Sequence, residues 1–333
     1  MSLNYLLASR FLILCLLFSA PVSAEDINIY FKTSPLAERL RPFSQAATLS
    51  LLATTAGGKP LANGWFDVRL EAPRPVLFST DFPFAEGSAL AEMRLPLKTG
   101  KAEWKYNFPI RGVYRLSVDV LALDGTRSSK TFSLHIREHR SKWLALGGFT
   151  LGLFAVGFIA GRIFTHTRGK GTGALRTIFF AIAFFTVSVA TATVPEAATE
   201  KRVTRLQIEP PTVGKPSRIR WVLDGDGDSS VRSAVLSLAI THIEKGMTVF
   251  AVDRIPVEEE YSINFQFIDA AEHRVTANAE MPGGRSARTE QVVSVSAVEP
   301  PITAMVPAMV LFLAMIAAGL GLGRWSRGNA TPS

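Results

Sequence analysis

Apolar positions along this chain fall into two patterns. Four runs carry no charged residue and are apolar almost throughout: Phe11 to Ala24, Trp143 to Gly161, Thr177 to Val194 and Ile302 to Gly323. The stretches between them alternate apolar and polar residues over short lengths and are broken by Gly, Pro, Asp and Asn. Of the four runs, those at 143–161, 177–194 and 302–323 approach the roughly 20 residues a helix needs to cross a bilayer core, so three transmembrane helices are predicted. The first run differs: Arg10 precedes a short apolar core, and Val22-Ser23-Ala24 closes it with small residues. That is the pattern of a secretory signal peptide over 1–24, with an uncleaved anchor helix as the alternative.

The alternating stretches read as strands, because successive side chains of a strand point to opposite faces. Within 25–142, strands are predicted at Ile27 to Phe31, Ala47 to Ala53, Trp65 to Leu70, Val76 to Ser79, Ala102 to Phe108, Tyr114 to Leu121 and Thr131 to Ile136. Within 195–301 they are predicted at Val203 to Ile208, Arg218 to Leu223, Ala234 to Ile240, Thr248 to Val252, Tyr261 to Ile268, Arg274 to Ala279 and Gln291 to Val295. About seven short strands at regular spacing is the signature of an immunoglobulin-like β-sandwich. The expected fold is mainly β, with two Ig-like β-sandwich domains, 25–142 and 195–301, plus three transmembrane α-helices.

Charge orients this arrangement. Arg162, Arg168, Lys170 and Arg176 fall in the segment 162–176 with no acid among them, and Arg324 and Arg327 lie in the tail 324–333. The positive-inside bias puts both segments in the cytoplasm and both large domains in the periplasm of a bacterial inner membrane. Arg137, Arg140 and Lys142 crowd the opposite end of the first helix. Charges on long exported segments weigh little in that rule.

Composition narrows the function classes. The chain is 47% hydrophobic and 19% charged, against roughly 25% charged in soluble proteins, which excludes a single cytosolic domain. The one cysteine, Cys15, lies in the signal segment, so disulfides, thiolate metal sites and cysteine nucleophiles are excluded from the rest. A net charge of +8 raises the question of nucleic acid, which export answers in the negative. The basic excess suits the cytoplasmic loop and anionic lipid headgroups, so membrane lipids and other integral membrane subunits are the expected partners.

A weak internal repeat pairs Tyr114-Arg-Leu-Ser-Val-Asp-Val with Tyr261-Ser-Ile-Asn-Phe-Gln-Phe, each soon followed by an aspartate, Asp124 or Asp269, that opens a turn. The run at 177–194 itself looks like an export signal, so the chain parses as two copies of signal, β-domain and helix. In the first copy, Gly58-Lys-Pro-Leu-Ala-Asn-Gly-Trp-Phe-Asp-Val-Arg-Leu-Glu-Ala-Pro73 and the later Gly112-Val-Tyr-Arg-Leu-Ser-Val-Asp-Val120 resemble small membrane-anchored domains of the FixH and YtkA-like type. The resemblance implies an accessory or assembly role beside membrane oxidases or metal-handling systems. The His and Met residues by which some such domains bind metal are absent from the matching part.

Candidate chemistry is sparse. No Asp, Glu, Lys, Arg or His lies inside the three predicted spans, so transport or conduction by this chain alone is not expected. Gly148, Gly152, Gly157 and Gly161 in the first span, with Gly319 and Gly323 in the last, have the four-residue spacing that lets helix backbones approach in lipid. Pro307 is expected to kink the last helix. The best ligand set is His242, Met247 and His273, since imidazole with a thioether suits copper; Glu272 is a further candidate. His135 and His139 form a thinner pair at the membrane surface. Asp224-Gly-Asp-Gly-Asp228 has the first carboxylates of a calcium loop, but Ser229 and Val235 stand where glycine and glutamate are required, and an Asp-Gly hairpin turn explains the same residues. No nucleophile elbow, phosphate loop or metalloprotease motif is found, and no enzyme is expected. The chain reads as a non-catalytic scaffold or accessory subunit without a cofactor; the alternative is a periplasmic copper delivery factor.

Overall fold

The computed structural model describes residues 27–76, 78, 80–97, 99–164, 204–223, 233–299 and 302–328. The expected signal peptide, the run at 177–194, most of the basic loop and Asp224–Asp228 lie outside the described residues. The first half supplies β1 (Asn28–Ser34), β2 (Ala47–Thr54), β3 (Gly64–Glu71), β4 (Ala89–Pro96), β5 (Lys101–Tyr106), β6 (Gly112–Ala122), β7 (Arg127–Ile136) and then helix α1 (Arg140–Phe164). The second supplies β8 (Thr204–Ile208), β9 (Pro216–Leu223), β10 (Ala234–His242), β11 (Met247–Val257), β12 (Glu260–Gln266), β13 (Glu272–Glu280), β14 (Ser286–Ser294) and helix α2 (Ile302–Gly328).

The alternation that predicts the strands also sets their faces. In β6, Tyr114, Leu116, Val118 and Val120 are buried while Val113, Arg115 and Asp119 between them are not. One expected strand fails and one strand that the alternation does not predict forms, both around β4. No strand forms at Val76 and Phe78, where Pro73 and Pro75 remove the backbone donors a ladder needs. The strand lies instead at β4, whose two alanines and charged Glu92 and Arg94 give it little intrinsic β-propensity. Pairing with β3 on one side and β12 on the other makes it a strand. Gly112, at φ 128°, opens β6 directly beneath Pro73, where a Cβ would strike the proline ring.

Among the described residues fourteen strands form two antiparallel seven-stranded sheets, β1-β2-β5-β11-β10-β13-β14 and β7-β6-β3-β4-β12-β9-β8. Each sheet is therefore built from both halves of the chain. Tyr106 in β5 stands opposite Phe250 in β11, and Met93 in β4 stands opposite Ile263 in β12. Renumbering β8–β14 as a second β1–β7 makes the arrangement self-complementary: each half's β5 pairs with the other half's β4. This is the pattern of a two-fold symmetric dimer, realised within one chain. The buried residues of both halves join in a single hydrophobic core, with Trp104, Phe108 and Tyr114 from the first and Trp221, Phe250 and Phe267 from the second fully enclosed.

The helices repeat as well. Among the described residues two helices are long and apolar enough to cross a membrane, Arg140–Ile163 and Ile302–Ser326. They run parallel and touch along their length: Phe149 meets Phe312 edge-on, and further along Gly157 lies against the carbonyl of Ile316 and Gly161 against that of Leu320. Gly319 and Gly323 reciprocate against Phe154 and Phe158. Gly148 and Gly152 face open space, so four of the six expected packing glycines are at the contact. Gly157 and Gly161 occupy the same places in α1 that Gly319 and Gly323 occupy in α2. Pro307 sits within α2, one turn from its start.

Candidate functional site

The match between repeats is not the one the sequence suggested. Tyr114 lies in β6 but Tyr261 lies in β12, the counterpart of β5. The residues that do correspond are Tyr106, Phe108 and Tyr114 in one half and Phe265, Phe267 and His273 in the other. In the first, Tyr106 packs on Phe108 at 5.2 Å and Phe108 on Tyr114 at 4.8 Å. In the second, Phe265 packs on Phe267 at 5.1 Å and Phe267 on His273 at 5.0 Å, with similar edge-on angles. Histidine thus stands where its twin has tyrosine.

At the first corner the Tyr114 hydroxyl donates to the Ile110 carbonyl at 2.7 Å and accepts from the Ile110 N–H at 3.0 Å. Ala72 fills the neighbouring core place on the β3 side, 5% exposed. At the second corner Asp269 replaces Ile110, and His242, opposite His273 in the β10–β13 ladder, replaces Ala72. An apolar corner with one tyrosine becomes a cluster of two histidines and an aspartate. The imidazoles are buried, 1% and 2% exposed, with ring centres 4.9 Å apart.

The hydrogen bonds define each group's role. His242 Nδ1 accepts from the Lys245 backbone N–H at 3.3 Å, so its proton sits on Nε2, which donates to Asp269 Oδ2 at 2.9 Å. His273 Nδ1 lies 3.1 Å from the Ala271 carbonyl, which can only accept, so Nδ1 carries that proton. Nε2 of His273 then presents a lone pair toward Asp269 Oδ1 at 3.5 Å, and Oδ1 has no hydrogen-bond partner. Burial pushes His273 below its ordinary value, which outweighs the pull of Asp269 and favours the neutral ring. Burial by itself would raise the Asp269 carboxyl, but the Lys245 ammonium at 2.9 Å and His242 outweigh it and hold it ionised below its ordinary value. Lys245 also stands over the Phe43 ring at 4.4 Å.

A small cavity of about 10 Å³ touches all three side chains and the seam between the halves. Asn107, following Tyr106, and Gln266, following Phe265, line it from equivalent places in the two repeats. Both amides are buried, and the Asn107 oxygen and both polar atoms of Gln266 lack hydrogen-bond partners. Ligand atoms of His242, Asp269 and His273 all lie within 4.8 Å of one another.

Of the residues singled out from the sequence, His242 and His273 are brought together. Met247 stands opposite His242 in the hairpin, only half-buried, and does not line the cavity. Glu272 is exposed at the start of β13. His135 is exposed and His139 lies 3.1 Å from the Pro42 carbonyl, so neither joins the cluster. Sequence reading missed Asp269, which it treated as a turn opener, and also Asn107 and Gln266. The Asp269–His273 spacing was visible, but only the corner geometry turns both groups inward.

No protein-family model matches the chain, the FixH and YtkA-like resemblance included, and no curated protein matches it. Among solved structures, a conjugative transposon lipoprotein from Bacteroides eggerthii is similar to part of it, at 17% identity over 27% of this chain and 93% of that one, with a TM-score of 0.21.

Proposed function

We propose that the chain is a membrane-anchored, non-catalytic scaffold or accessory subunit of a larger membrane complex, presenting a fused pair of immunoglobulin-like sandwiches on one face of the bilayer. The observation that carries this reading is the double fusion of the repeats, through β5–β11 and β4–β12 in the sheets and through glycine contacts between α1 and α2. A partner gripping either the sheets or the helices engages one continuous body. Trp143 at the start of α1, with the Arg111 guanidinium 5.5 Å from its ring, suits the headgroup layer between the two.

Both helices leave the sheets in the same direction, and the uncharged run at 177–194 has, by sequence, the length to cross a bilayer between them. With the signal segment, this favours periplasmic sheets and a multi-pass inner-membrane protein. A periplasm-specific reporter should be active after Ser296 and silent after Lys170; the reverse would refute the orientation. Native electrophoresis of gently solubilised membranes should place the chain in a complex with another integral membrane protein at fixed ratio. Migration as a lone chain would refute the scaffold reading.

A further inference from the structure

We propose that His242, Asp269 and His273 form a binding site for one divalent ion of the zinc class, buried where the two repeats meet. Three observations converge on it. The first is the pair of facing acceptors: the lone pair of His273 Nε2 and the unpartnered Asp269 Oδ1 lie 3.5 Å apart, and a cation between them converts a mutual repulsion into two coordinate bonds. His273 already has the arrangement of a ligating imidazole, its other nitrogen donating to a backbone carbonyl.

The second observation is the internal control that the duplication supplies. Two buried histidines around a half-buried carboxylate are a costly way to fill a core corner. The first repeat closes the same corner with Ala72, Ile110 and Tyr114, whose few polar atoms are satisfied. The fold does not require the His–Asp–His set. The third observation is the ring of unpartnered polar atoms on Asn107 and Gln266 around the same cavity, which leaves oxygen donors beside the three ligands.

The donor set chooses the class of ion. Two imidazoles and a carboxylate suit borderline divalent ions, and Met247 does not line the cavity, so a soft thioether site for cuprous copper is not assembled. The enclosure chooses the role. With about 10 Å³ of space there is room for an ion but not for a substrate, so the ion would act as a clamp on the β10–β13 ladder and the turn that carries Asp269. Binding moves the His242 proton from Nε2 to Nδ1, which frees the Nε2 lone pair for the ion, and displaces the Lys245 ammonium from Oδ2; that lysine side chain is 40% exposed and can turn to solvent. Binding also costs the Lys245 N–H to His242 Nδ1 bond, which at 3.3 Å is already long.

The test uses the full chain in detergent, stripped with chelator and titrated with cobalt(II) and zinc(II). One equivalent of cobalt should develop the visible absorption of a low-symmetry four-coordinate ion, and zinc should bleach it. Zinc in hundredfold excess over its Kd should raise the melting temperature by on the order of 5 °C. The control variant copies the first repeat into the second: His242→Ala with Asp269→Ile and His273→Tyr. It should fold, melt cooperatively and bind no cobalt, while Met247→Leu should bind as the native chain does. Should that triple variant fail to fold, His273→Gln serves in its place, with affinity expected to fall at least tenfold. A native chain that binds no stoichiometric ion would overturn the proposal. Cobalt binding unchanged in the corner variants would overturn it equally.

Discussion

The same corner of the same fold is built twice in this molecule, and only one copy is apolar. At Tyr114 a hydroxyl closes a turn of its own repeat with two hydrogen bonds to Ile110, and the neighbouring core place is filled by Ala72. At His273 the equivalent place opens onto Asp269, His242 and a cavity reaching the other repeat. Strand register and aromatic stacking are shared, so the difference lies in three side chains and in the connection that follows, long after Ala72 but a tight turn carrying Lys245 after His242. A duplicated core thus separates what stability demands from what has been added to it, because the unmodified copy shows what suffices.

The most damaging way to probe this equivalence is to cut out the ring both corners share. Phe108→Ala and Phe267→Ala each remove a fully buried aromatic and should each cost about 3–5 kcal/mol. Because both rings belong to one continuous core, urea unfolding of the full chain followed by tryptophan fluorescence should show a single transition for either variant. Two separated transitions would mean that the halves fold as independent bodies. In the membrane segment the corresponding break is Gly157→Leu with Gly319→Leu, which drives side chains into the backbones of Ile316 and Phe154. Overpacking of this kind should cost about 1–3 kcal/mol per site and separate the helices, read as loss of a crosslink between cysteines placed at Phe149 and Phe312. Gly148→Leu, on the open side, should leave that crosslink intact.

Tyr114→Phe isolates the polar part of the first corner. It strands the Ile110 N–H and carbonyl and should cost about 1–3 kcal/mol in the same urea experiment. A cost below about 0.5 kcal/mol would show that the hydroxyl is ornamental and that the corner is held by stacking alone.

The finest comparison is in pH. Burial, with Tyr106 nearby, raises Tyr114 well above the ordinary phenol value, so the folded state keeps that proton longer than the unfolded chain does. Its stabilisation is full below about pH 10 and is lost as pH rises beyond it. His273 is shifted the other way, by burial of the ring, so the unfolded chain takes up that proton first. The stabilisation there is full above about pH 6.5 and is lost as pH falls; Asp269, held low, adds to the loss below about pH 4. In chelator-treated protein, His273→Tyr should therefore flatten the acid limb of the stability profile, and Tyr114→Phe the alkaline limb. Identical limbs in the variants and the native chain would remove any distinction between the corners.

Much of this architecture is legible in the residues themselves. Alternation along Tyr114–Val120 fixes which side chains face inward, because a strand leaves no other choice, and absence of charge over 143–161 and 302–323 marks the two helices. The glycine spacing was equally plain, although only the packed pair distinguishes Gly157 and Gly161 from Gly148 and Gly152, since spacing does not say which face meets a neighbour. Short-range periodicity therefore reaches the strand faces, the span lengths and a β-domain before each described helix. Tertiary structure alone decided that the two halves share their sheets, that β4 is a strand despite its composition, and that Asp269 joins His242 and His273. Those outcomes depend on pairings between residues far apart in the chain, such as Met93 with Ile263 and His242 with His273. Pairings of that kind are set by burial and backbone hydrogen bonding across the whole core, which no local pattern records.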